Sequence, residues 1–116
     1  HTGLDIIKGN VVKIPAQDRN GCKLKIPNIG WRKLYPSSGK NWNNTPLQGL
    51  EDYNECYLVH SFHFSTSSEQ NKLALAEYGG HEITAAVHKD NVFGFQFHPE
   101  KSGYIGQRII TQFLDM

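Results

Sequence analysis

The chain has 116 residues, which allows one domain, and 12 Lys plus Arg against 11 Asp plus Glu leave a formal net charge of +1. That balance argues against a nucleic-acid backbone or an anionic membrane surface as the main partner. Two Trp, five Tyr and six Phe are too many for a disordered segment, and two cysteines are too few for a disulfide scaffold. No apolar run approaches the ~20 residues that span a bilayer. No basic-then-apolar leader is visible, and unpaired cysteines fit a reducing compartment, so a cytoplasmic location is expected.

Val11, Val12 and Ile14 form a short apolar run, and Leu24 and Ile26 alternate with Lys23 and Lys25 at a period of two. Between them lies a polar loop that ends in Asn20-Gly21, so the first third is expected to be a β-hairpin. Residues 36–44 carry little periodicity and read as a loop region. Thr45-Pro46 looks like an N-cap followed by Pro at the first helical position, opening a helix that Gly49 keeps short. Tyr57 to Phe64 is a strand candidate, and residues 65–71 are a polar loop. Three further strands, over 73–78, 82–87 and 92–97, are joined by Gly79-Gly80 and Lys89-Asp90-Asn91 into an antiparallel β-meander. Ser102 then opens a C-terminal helix with Ile105, Ile109, Ile110, Phe113 and Leu114 on one face. Gly106 on that stripe permits a close approach to a neighbour.

The sharpest feature is Phe93-Gly94-Phe95-Gln96-Phe97-His98-Pro99-Glu100. In a strand the three Phe share one face, which must be core, and Gly94, Gln96 and His98 share the other. Pro99 offers no N–H, so the strand stops there or lies at an edge. Glu100 can reach back beside His98, and a carboxylate there fixes the imidazole tautomer and stabilises its protonated form. Spacing alone leaves two readings open: a solvated pair, or the base and orienter of a nucleophilic triad.

His60 and His63 are three apart and so point to opposite faces of a strand, and neither cysteine has a partner at finger spacing. No metal site is expected, and His60 reads as a strand histidine bonded to backbone. A nucleophile elbow needs glycine two residues before and two after the attacking group. Neither Cys22 nor Cys56 has them. The chain therefore shows a base and an orienter without an attacking group.

Phe95-Gln96-Phe97-His98-Pro99-Glu100-Lys101-Ser102 closely resembles the C-terminal signature of class I (triad) glutamine amidotransferases. The form is typical of the glutaminase subunit of imidazole glycerol phosphate synthase. Three other stretches agree with that family in order and kind: 3–9, 25–31 and 57–62. The resemblance covers essentially the whole chain. It implies an α/β, flavodoxin-like domain of which residues 1–116 are the C-terminal portion, with the nucleophile-bearing part upstream. It implies His98 as the base that activates a cysteine and Glu100 as its orienter. Ser61 and Phe62, beside His60, resemble positions whose backbone holds the substrate glutamine. Trp31, Tyr57 and Lys101 resemble residues at the face that meets a (β/α)8-barrel cyclase partner. The implied reaction hydrolyses glutamine to glutamate and ammonia through a cysteinyl thioester, and the ammonia passes to the synthase of histidine biosynthesis. No cofactor is implied.

Two positions depart from the family, which commonly has His where Asn28 stands and Asn where Arg32 stands. They leave open a paralogue that feeds ammonia to surface-sugar amidation. A second reading is a non-catalytic interaction module whose exposed Phe and Ile bind a partner. As a piece of a larger domain the chain is expected to be inactive alone, and to self-associate through unpaired strand edges.

Overall fold

A computed structural model describes residues 1–51 and 54–116. It is mixed α/β, with eight strands and one α-helix among the described residues. The strands are β1 (Asn10–Lys13), β2 (Asn28–Lys33), β3 (Tyr35–Pro36), β4 (Glu55–His60), β5 (Phe62–Ser65), β6 (Lys72–Tyr78), β7 (His81–Lys89) and β8 (Val92–Phe95). The helix is α1 (Gly103–Leu114). Three antiparallel sheets result: β1 with β5, β2 with β4, and β3-β6-β7-β8. Among the described residues no helix is long and apolar enough to cross a membrane.

The meander forms as expected. Gly79 and Gly80 sit at φ +60° and +79°, the left-handed pair that a two-residue hairpin turn requires. The strand expected over 92–97 ends at Phe95, and among the described residues β8 pairs with β7 alone, at the edge of its sheet. Phe95 and Phe97 stack at 5.0 Å between ring centroids, and Phe93 meets Phe113 of α1 edge-on at 6.3 Å. The Phe row thus faces α1 and the core.

The expected hairpin of the first third does not form. β1 pairs with β5, far along the chain, and among the described residues the Lys23–Ile26 stretch makes one isolated bridge, Gln17 with Lys23. The reason lies in what residues 18–25 contact. Asp18 Oδ1 accepts the N–H groups of Asn20 and Cys22, which closes a tight loop. That loop then caps the β6–β7 turn. The Arg19 guanidinium donates to the Gly80 carbonyl at 3.1 Å, and a Cβ on Gly79 would overlap the Leu24 side chain.

The short helix expected at Thr45-Pro46 is instead a run of turns. The Thr45 hydroxyl does accept the Leu47 N–H, at 3.2 Å, but no helix follows. The segment goes into the core instead. Trp42, Pro46, Leu47 and Leu50 are all buried, and the Trp42 indole donates to the Leu73 carbonyl at 2.8 Å. Leu34, Leu58, Leu73, Phe97 and Ile109 complete the cluster. Burying each such side chain contributes roughly 1.5–3 kcal/mol. The strand expected over 57–64 is two strands, broken at Ser61, whose carbonyl accepts the Ile14 N–H.

Candidate active site

His98 stands just beyond the end of β8, where the chain turns into a 3-10 helix at Pro99–Lys101. Its Nδ1–H donates to Glu100 Oε1 at 2.8 Å, and both side chains are partly exposed. The contact leaves Nε2 as the nitrogen that can meet a reacting group. The Glu100 carboxyl is held below its usual range by a backbone N–H and by the His98 ring.

Three hydrogen bonds fix the backbone of that turn to β4. The His98 N–H donates to the Tyr57 carbonyl at 3.0 Å. The Tyr57 N–H donates to Ser102 Oγ at 3.0 Å, and the Ser102 hydroxyl donates to the His98 carbonyl at 2.6 Å. Ser102 is 1% exposed, so the hydroxyl at the centre of this circuit is buried. Sequence reasoning gave Ser102 the role of helix cap. It occupies the N-cap position, yet its side chain makes no capping bond and serves the His98 turn instead. A buried serine between the His-Pro-Glu run and a helix was the available signal.

α1 approaches the same turn closely. A Cβ on Gly106 would overlap the Pro99 carbonyl oxygen. The close approach expected of Gly106 is therefore made against the His98–Lys101 turn itself.

His60 is buried at the end of β4, and both ring nitrogens are engaged within the fold. Its Nδ1–H donates to the Phe62 carbonyl at 2.8 Å, which makes it the backbone-bonded strand histidine. Ser61 is half-buried in the bend that this bond spans, and Phe62 is exposed. Trp31 and Tyr57 face each other across the β2–β4 pair, edge to face at 6.0 Å. Beside them an open cleft of about 570 Å³ is lined by Trp31, Lys33, Glu55, Ser102, Tyr104 and Ile105. Lys101 is exposed on the adjoining 3-10 turn.

Neither cysteine is poised to attack. Cys22 is exposed in the loop closed by Asp18. Cys56 is fully buried, and desolvation pushes its thiol up to about 11, against a hydrogen bond with Ser102 that works the other way. Among the described residues, no three His, Cys, Asp or Glu side chains gather to hold a metal.

The match with known proteins decides the family. Residues 5–116 match the family described as "Glutamine amidotransferase class-I". The chain belongs to this family. The amidotransferase chain is 43% identical over 117 residues to "Imidazole glycerol phosphate synthase subunit HisH 1" of Legionella pneumophila (strain Paris), covering 100% of this chain and 55% of that protein. It is 42% identical over 115 residues to the HisH subunit of Bacillus subtilis (strain 168), covering 99% and 51%. The HisH subunit of Methanosarcina barkeri is 43% identical over 116 residues, covering 98% and 52%. The amidotransferase chain thus spans about half the length of these curated relatives.

Proposed function

We propose that the whole protein is a glutaminase subunit, and that residues 1–116 carry its acid–base machinery. The observation that carries the reading is the 2.8 Å bond from His98 to Glu100, in a turn anchored to β4 by Ser102. A carboxylate on Nδ1 holds the imidazole in one tautomer and leaves Nε2 for proton transfer. The attacking cysteine belongs to the part of the flavodoxin-like domain upstream of these residues.

The chemistry follows from that arrangement. His98 Nε2 takes the cysteine proton, and the thiolate attacks the side-chain amide carbon of glutamine. Nε2–H then returns the proton to the departing nitrogen as the C–N bond breaks. This leaves a thioester and free ammonia. Water attacks the thioester next, giving its proton to Nε2. The C–S bond breaks, and glutamate leaves with the thiol restored. Glu100 stays ionised and stabilises the imidazolium at each transfer. Ser61 and Phe62 hold the glutamine through their backbone, and His60 supports that bend from beneath.

The likeness to HisH subunits supports imidazole glycerol phosphate synthase as the destination of the ammonia. The exposed Trp31–Tyr57 face, with Lys101 beside it, is then where the barrel synthase docks. Without its upstream part the chain is inactive, and the β8 edge favours self-association.

Labelling the full-length protein with an electrophilic glutamine analogue tests the reading. The adduct is expected on a cysteine other than Cys22 and Cys56. An adduct on either of those two would overturn it.

A further inference from the structure

Four residues join the outer edge of β2 to the Ser61 bend. Arg32 Nε–H donates to Asn28 Oδ1 at 3.1 Å. Asn28 Nδ2–H donates to His60 Nε2 at 3.1 Å, between partners directly opposite each other in the β2–β4 register. His60 Nδ1–H donates to the Phe62 carbonyl at 2.8 Å. Asn28 is 1% exposed and His60 is 8% exposed, so the bond between them is buried from water.

The two ends of this chain set its direction. A guanidinium can only donate, and a carbonyl can only accept. The Arg32 end therefore turns the Asn28 oxygen outward and its NH2 toward His60. The Phe62 end places the His60 proton on Nδ1. Both demands agree on one arrangement, with a neutral His60 whose Nε2 accepts. Desolvation lowers the pKa of His60 and so also favours the neutral ring. Arg32 is itself held in place: one Nη donates to the Trp31 carbonyl at 3.1 Å, and its guanidinium lies 5.1 Å from the centre of the Tyr78 ring.

We infer that Arg32 is a positioning residue for glutamine binding: through Asn28 it sets the His60 tautomer, and His60 in turn fixes the carbonyl of the Ser61–Phe62 bend. The inference rests on the proposed glutaminase reading, in which that bend holds the substrate. An Arg at 32 needs an acceptor at 28 that can pass a donor on to His60, and the Asn28 amide does both.

The test uses the full-length protein, with Arg32→Met to keep the apolar stem and remove every donor. The KM for glutamine is expected to rise about tenfold, the loss of one oriented hydrogen bond. kcat should stay within about twofold, because the change touches binding and not the transition state. Ring 15N shifts of His60 should change from one Nδ1–H tautomer to a mixture of the two. Asn28→Asp is the second variant, since it still accepts from Arg32 but has no N–H for His60; it should raise the KM as well. An unchanged KM in Arg32→Met would overturn the inference, as would a His60 ring that keeps its single tautomer in that variant. If His98→Ala retains glutamine turnover, the glutaminase reading is at fault. If His98→Ala is dead and the Arg32 variant binds glutamine normally, only the role given to Arg32 fails.

Discussion

Ser102 Oγ accepts the N–H of Tyr57 at 3.0 Å while its own proton goes to the carbonyl of His98. One buried hydroxyl thus binds the strand that carries the expected partner face to the turn that carries the proposed base. Ser102→Ala would remove the partner of both backbone groups at a part-buried site. A loss of about 1–3 kcal/mol is expected, read from denaturant unfolding. The kcat for glutamine should fall with it, because the His98 turn loses its anchor. Unchanged stability would show that the hydroxyl is not needed there.

Gly106 is the second structural constraint on the same turn. Gly106→Ala puts a methyl group into the Pro99 carbonyl, and the obstacle is backbone that cannot swing away. The expected cost is about 1–3 kcal/mol or more, as for overpacked cores, although Ala is the better helix former. A thermal melt that rises instead would mean α1 does not approach the turn this closely.

Much of this site was legible from the residues. The Phe93–Glu100 run announced its faces and its His–Glu pair, because both follow from local alternation and local chemistry, although the strand ends at Phe95 rather than running on to Pro99. α1 and the β6–β7–β8 meander were legible for the same reason. The pairing of β1 was not. Val11–Ile14 has an adjacent alternating run at Leu24–Ile26, but Asp18 folds that stretch into a cap over Gly79-Gly80, and β5 pairs with β1 instead. Thr45-Pro46 carried a helix-start signal that Trp42 and Leu47 override by burying the segment in the core. The Ser102 circuit and the Arg32–Asn28–His60 chain join residues 45 and 32 apart, which no local pattern encodes.

Glu100 gives a direct readout of the His98 contact. Its folded pKa is depressed, by a backbone N–H first and by the His98 ring second. The contact therefore favours the folded state above the ordinary glutamate range, and that contribution fades as pH falls through the lowered value. A 13C titration of the carboxyl should show a midpoint below that of free glutamate. His98→Ala should move it upward. A midpoint indifferent to that substitution would mean the pair does not persist in solution.

Three histidines shape the acid limb of stability. His60, His63 and His88 all have pKa values lowered from their usual 6.5, in each case chiefly by burial. The unfolded chain then binds protons more readily than the folded one as pH drops below 6.5. Stability is fully present above that value and falls as pH descends toward the lowered values. Denaturant midpoints at pH 5 should lie below those at pH 7.5. Equal midpoints would mean these rings protonate freely in the folded state.

The proposed role of His98 as the acid–base group of a glutaminase stands or falls on catalysis. Glutamine hydrolysis by the full-length protein, with its synthase partner present, tests it most directly when wild type and His98→Ala are compared. In His98→Ala, kcat is expected to fall by about a thousandfold or more, with the variant still folded, as when a triad base is removed. Turnover by His98→Ala close to that of the wild type would contradict it.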